Sequence, residues 1–148
     1  MLFHRKKRLI IVGCGRLGSH LARILSTKGY QIIIIDRYVE SFQRLPSNFN
    51  GFQITADGTD IDTLKYADID KANMVIAVTG SDNENILIGQ IASRIYNIEK
   101  VYVRLNEIEN EQLIHGFNIE AIYPFRLSIK EFQRLLGVEG DVEEEELQ

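Results

Sequence analysis

Apolar positions along this chain follow two rhythms in turn. Unbroken or alternating apolar runs occupy residues 8–12, 31–36, 52–55, 73–79, 100–105 and 119–123, and runs of this length read as strands. Between them, apolar residues recur at spacings of three and four, the period of a helix packed on one side. The first such stretch, 16–28, places Leu17, Leu21, Ile24 and Leu25 on one face and stops at Gly29. Shorter helices are predicted at 39–45, closed by Pro46, and from a cap at Thr59 or Asp60 to Tyr66. Another is predicted at 107–116, closed by Gly116. A longer one follows a cap at Ser81 or Asp82 and faces inward through Ile86, Leu87, Gln90, Ile91 and Ile95. The last, 127–136, follows Pro124, carries Ile129, Phe132, Leu135 and Leu136, and ends at Gly137. The apolar stretch 32–35 is all isoleucine, which predicts a strand buried on both faces of a parallel sheet. Strand and helix alternate six times with short connections. The fold expected is α/β: a Rossmann-like doubly wound parallel sheet with right-handed crossovers, strand order 3-2-1-4-5-6, in a single domain.

The first strand runs directly into Gly13-Cys14-Gly15-Arg16-Leu17-Gly18 and then into a helix, the context in which G-x-G-x-x-G is a dinucleotide-binding fingerprint. Gly13 permits the tight turn, Gly15 lets a pyrophosphate approach the backbone, and Gly18 lets the helix pack close to the strand. Asp36 closes the second strand about twenty residues on, where a carboxylate accepts hydrogen bonds from ribose hydroxyls. Ligands of such sheets bind where the strand order reverses, so the turns at 13–18, 36–37, 57–58 and 79–83 should line one cleft. Arg16 can neutralise a phosphate there, or stand solvated at the helix start. Asp36 favours NAD or adenosine over NADP, whose 2′-phosphate it would repel; Arg37 softens that preference. Asp57 and Gly58 are placed beside the adenine ring, and Thr79, Gly80 and Asn83 beside the phosphates or far ribose. Arg104, ending the fifth strand, is either a further ligand contact or part of a structural salt bridge.

Composition narrows the class. The chain has 148 residues, 45% hydrophobic and 26% charged, ordinary values for a globular protein. No apolar run approaches the roughly 20 residues that cross a bilayer, and the apolar stretch after the basic lead-in 1–7 is too short for a signal-peptide core; a cytoplasmic protein is expected. That lead-in could touch lipid headgroups or nucleic acid, but it is short and lacks interleaved aromatics, and no nucleic-acid partner is expected. The net charge of −4 is uneven: Glu139, Asp141 and Glu143 to Glu146 lie in the last ten residues, leaving 15 acidic against 17 basic residues in the body. Residues 138–148 read as an acidic, disordered tail. Cys14 is the lone cysteine. Its place at a helix N-terminus would suit a redox-sensing thiol, although a small filler in a crowded turn is the better-supported role. His4, His20 and His115 show no ligand spacing, and no metal site is expected.

Hydride-transfer enzymes need a second set of residues to hold and protonate a substrate. The nucleotide fold here takes nearly the whole chain, and no Tyr-x-x-x-Lys pair, paired carboxylates or His-based triad appears. The expectation is a non-enzyme in which the nucleotide is a signal. The alternatives are a small NAD-dependent oxidoreductase completed by dimerisation, with a proton donor among Asp82, Glu84 or His115, and an oligomerisation module with a vestigial cleft.

The segments I-I-V-G-C-G-R-L-G-S-H-L-A, I-I-I-I-D-R, A-D-G-T-D, A-N-M-V-I-A-V-T-G-S-D-N-E-N and V-Y-V-R-L-N-E-I-E-N stand in order. With the 119–124 segment and its following helix, they resemble the N-terminal domain of RCK proteins (regulators of K⁺ conductance), also called KTN or TrkA-N domains. The resemblance covers residues 8 to about 137. It implies a cytoplasmic, non-catalytic sensor of NAD(H) or of ATP, ADP or AMP, held at the inner face of the membrane by a potassium transporter or channel subunit. It also implies homodimers or larger rings whose rearrangement gates transport. The 127–136 helix would then cross to a neighbouring subunit, or else pack on its own domain. Many relatives continue into a second ligand-binding domain or repeat the first. This chain reads as a short subunit working beside a partner, or as part of a longer protein.

Overall fold

The structure, a computed structural model, describes residues 6–138. Residues 1–5 of the basic lead-in and the acidic segment from Glu139 lie outside the described residues. Six strands form one parallel sheet among the described residues: β1 (Arg8–Val12), β2 (Gln31–Asp36), β3 (Phe52–Thr55), β4 (Met74–Ala77), β5 (Lys100–Arg104) and β6 (Glu120–Ile122). Their order is β3-β2-β1-β4-β5-β6, as expected. The helices are α1 (Arg16–Ser26), α2 (Ile61–Tyr66), α3 (Asp82–Gln90) and α4 (Pro124–Leu136). None is long and apolar enough to cross a membrane.

The central strands are buried on both faces because successive side chains alternate sides. In β1 and its neighbours, Ile10 pairs in register with Ile33 on one side and Val75 on the other. These three, with Val12, Ile35 and Ala77, face a layer closed by Leu64 of α2 and Ile88 of α3. Leu9, Ile11, Ile32, Ile34 and Ile76 face the opposite layer, with Ala22 of α1, Phe42 and Leu45.

Several expected helices take other forms. Residues 39–44 and 108–113 are 3-10 turns, not α-helices. In the first, Phe42 is buried, and Leu45, the extended residue that closes the turn, is buried as well; 3-10 helices are favoured only in short pieces. α3 continues into a π turn over Ile91–Ile95. Its buried side is Asn85, Ile86, Ile88 and Gly89, then Ile91 and Ala92, whereas Leu87 and Ile95 are 44% and 56% exposed. Ile24 of α1 also faces outward, leaving Gly18, Ser19 and Ala22 buried. α4 begins three residues early because Pro124 occupies its first turn, where no N–H partner is needed. Gly137, at φ +69, ends it, and the N–H of Val138 returns to the Gln133 carbonyl. No residue of α4 is buried, and Phe125, Leu127, Phe132, Leu135 and Leu136 are each at least 60% exposed. The structure thus gives little support to the alternative in which α4 packs on its own domain.

The turn between β1 and α1 is built on backbone contact. Gly13 has φ +107, and a Cβ there would lie 2.8 Å from the Val78 carbonyl. A Cβ on Gly18 would overlap the Gly13 carbonyl oxygen. Gly80 instead faces open space. Gly18→Ala should therefore cost about 2 kcal/mol or more of stability, whereas Gly80→Ala should cost less than about 0.5 kcal/mol; thermal unfolding followed by circular dichroism compares the two.

Candidate functional site

The carboxyl ends of β1 to β5 open on one cleft of about 370 Å³ at the point where the strand order reverses. Of the residues expected there, Gly13, Gly15, Leu17, Asp36, Arg37, Gly58, Thr79, Gly80 and Arg104 line it. Cys14, Arg16, Gly18, Asp57 and Asn83 are not among its lining residues. Tyr38, Ser41 and Arg44 line it without having been singled out, and Thr59 and Glu84, considered only as a helix cap and a proton donor, line it as well.

One wall is the start of α1. Its N-cap is Gly15, no side chain caps it, and its first turn carries no acidic residue. The first N–H groups of a helix have no partner inside the helix and carry its positive end. A Cβ built on Gly15 meets nothing within 4 Å, so an anion can reach this backbone. α2 and α3, by contrast, are capped by Asp60 and Ser81. Arg16 is exposed beside this turn.

Asp36 ends β2 and ties the turn to it. One carboxylate oxygen accepts the Cys14 N–H (2.8 Å) and the other the Tyr38 N–H (2.9 Å). Each oxygen keeps capacity for a further donor. Cys14 itself is fully buried, with its thiol 3.4 Å from the Ser41 carbonyl. Burial, aided by the Asp36 charge, pushes that thiol up to about 11 against the opposing charge of Arg44. It stays protonated at neutral pH, and the thiolate is the reactive form. Its burial suits the packed-filler role of Cys14, the better-supported one from the sequence, and not the redox-sensing one.

At the mouth, Arg37 Nη2 donates to Asp57 Oδ1 (3.2 Å) and Glu84 Oε1 (2.5 Å). The Thr59 hydroxyl and N–H, with Arg37 adding its charge, hold the exposed Asp57 carboxyl below its usual range. Gly58 is fixed by packing, since a Cβ there would overlap Val12.

The far wall hangs on Asn85, which sequence reasoning missed. It is fully buried at the first turns of α3. Its Oδ1 accepts the Thr79 N–H (2.9 Å) and hydroxyl (2.7 Å), and its Nδ2 donates to the carbonyls of Thr79 (3.1 Å) and Arg104 (2.8 Å). One amide thereby joins the ends of β4 and β5. Arg104 Nη2 donates to the Thr79 carbonyl (2.5 Å), while its buried Nε has no partner. Among the described residues no carboxylate lies within salt-bridge distance of Arg104, although its charge acts on Asp82. Asp82 accepts the N–H groups of Asn106 and Glu107 and the Asn110 amide. Burial opposes its ionisation, but these donors and the Arg104 charge outweigh burial and hold its carboxyl below the usual range.

A parallel sheet in this order, with a glycine turn, an open helix start and an acidic residue ending β2, defines a Rossmann-type dinucleotide-binding fold. The chain belongs to the TrkA-N domain family, whose model matches residues 9–124. It is 34% identical over 132 residues to the Trk system potassium uptake protein TrkA of Streptomyces coelicolor, covering 89% of this chain and 59% of that protein. It is 30% identical over 144 residues to a TrkA homolog of Archaeoglobus fulgidus, covering 92% and 32%. The GsuK channel bound to NAD superposes with a TM-score of 0.75 at 26% identity, over 90% of this chain and 24% of that one. GsuK bound to ADP gives 0.73 at 25% identity, over 88% and 34%. The chain thus spans about three fifths of the Streptomyces relative and about a third of the Archaeoglobus one.

The folded Asp82 carboxyl titrates below its unfolded value. Its contribution to stability is complete above the ordinary carboxylate pKa of about 3.9 and fades as pH falls below it. Asp82→Asn should therefore lower stability at pH 7 and flatten the loss in acid, as urea unfolding from pH 7 to pH 3 would report.

Proposed function

We propose that this cleft takes NAD(H) or an adenine nucleotide (ATP, ADP or AMP), and that the chain is a non-catalytic regulatory subunit of a potassium transporter or channel. The observation that carries the reading is the open start of α1 at Gly15, with Asp36 beside it and both lining the cleft. The N–H groups of the glycine turn, with Arg16, suit the phosphates. Asp36, which keeps an acceptor site on each oxygen, suits the ribose hydroxyls. Gly58 and Thr59 border the adenine side, and Gly80 and Arg104 the far end. The names of the Trk and GsuK relatives support the same ligands and the same membrane partner.

The lining favours a signal over a reagent. Glu84 is paired with Arg37, and Asp82 is bound by the 106–110 loop. His115 is exposed and outside the cleft lining. The proton donors an oxidoreductase would draw on are thus engaged or remote. The chain works at the cytoplasmic face of the membrane through its partner. Its exposed α4 stripe suits contact with a second copy, in a homodimer or larger ring. Nucleotides that differ in affinity for two subunit arrangements would shift the ring between them and so gate transport; equal affinity would shift nothing.

Calorimetric titration with NADH, NAD, ATP, ADP and AMP tests the reading. At least one should bind, and Asp36→Ala should weaken that ligand about tenfold or more. Failure of all five to bind overturns it. Turnover of the nicotinamide would favour the oxidoreductase reading instead.

A further inference from the structure

The Arg37 clasp has a chemical consequence for the ligand. In dinucleotide folds, an arginine beside the acidic residue that ends β2 is the group that takes up a ribose 2′-phosphate. Arg37 occupies that place: it follows Asp36 directly and lines the cleft. Its guanidinium is nevertheless engaged, because one Nη2 serves both Asp57 and Glu84 from two other elements. Each bridge is part-exposed, with Arg37 and Asp57 about half exposed and Glu84 28%. Bridges of that kind are individually weak. A phosphate drawn to Arg37 would have to displace both bridges at once. It would then also meet the charge of the two carboxylates so released, close to a third, Asp36. Against those three stand the arginines that line the cleft, Arg37, Arg44 and, at its far end, Arg104; Arg44 also borders Ser19, His20 and Arg23 of α1. Specificity of this type rests on a repulsive element as much as on an attractive one.

We infer that Asp57 and Glu84 are specificity-determining residues that hold Arg37 away from a ribose phosphate, and so exclude 2′-phosphorylated dinucleotides from the cleft. The inference rests on the nucleotide-binding reading and goes beyond it, since it assigns the exclusion to a clasp and not to Asp36 alone.

The test is calorimetric titration of the full chain with NAD and NADP at one fixed salt concentration. It compares the unaltered protein, the double variant Asp57→Asn/Glu84→Gln, and the triple variant that adds Arg37→Gln. Melting curves confirm that each is folded, and the part-exposed positions should tolerate the changes. The unaltered chain should prefer NAD, and the double variant should shift the NADP-to-NAD affinity ratio toward NADP by about tenfold or more. The triple variant should lose most of that gain. If the double variant binds NAD but keeps the original ratio, the clasp does not set specificity. If the triple variant keeps the gain, loss of negative charge and not release of Arg37 explains it, and the inference is overturned. Equal binding of NADP and NAD by the unaltered chain overturns it as well. If the unaltered chain binds neither dinucleotide nor any adenine nucleotide, it is the reading of the cleft that fails, and the inference falls with it.

Discussion

The nearness of α1 to the strands beneath it governs the rest of the molecule. Gly13 lies against the Val78 carbonyl and donates its N–H to Ile35 on the neighbouring strand (2.8 Å). Gly18 lies against Gly13. Three backbones meet there without side chains between them, and such a contact tolerates no added atom. It brings the unpaired donors of a helix to the one place on a doubly wound sheet where the neighbouring crossovers diverge and leave a crevice. Asp36 then clamps the turn from the β2 side. A longer residue at Gly13 or Gly18 would move the helix start, and with it the geometry of every wall of the cleft.

Much of the sheet is legible in the amino-acid sequence because burial on both faces writes an unbroken apolar run, as at 32–35. The parallel order follows, since strands separated by helices have few ways to pair. The helical faces were less legible. α3 turns inward through Asn85, Gly89 and Ala92, two of them small and one polar, so apolar spacing pointed to Leu87 and Ile95 instead. Gly89 is there because a Cβ would crowd Val103 on β5 (2.9 Å), a packing demand that no hydrophobic period records. Likewise, Phe42 and Leu45 three apart are compatible with either kind of short helix, and their spacing does not record that the helix ends at Arg44 with Leu45 already extended.

The site divides the same way. Its glycines and Asp36 announce themselves because backbone geometry and hydrogen bonding to a turn admit few residue types. Arg37 and Glu84 stand 47 positions apart in the chain, and Asn85 reaches Arg104 across 19. Such partnerships arise from strand order, and nothing local in the sequence marks them. Thr79 shows the cost of local reading: its position at the cleft was foreseen, but its N–H, hydroxyl and carbonyl are all engaged by Asn85.

α4 carries a consequence of a thermodynamic kind. A helix of 13 residues with no fully buried side chain, and with Ile129 only part-buried, gains little from the domain core, and helices of that length are marginal in water on their own. Local devices remain to hold it, among them Pro124 at the start, the Glu131–Arg134 pair and the Gly137 cap. Whatever surface covers Phe132, Leu135 and Leu136 would supply much of the free energy that keeps the segment helical. If a partner covers this stripe, association and helix formation at this end of the chain would be one linked equilibrium, and the order of the helix would depend on the partner's concentration.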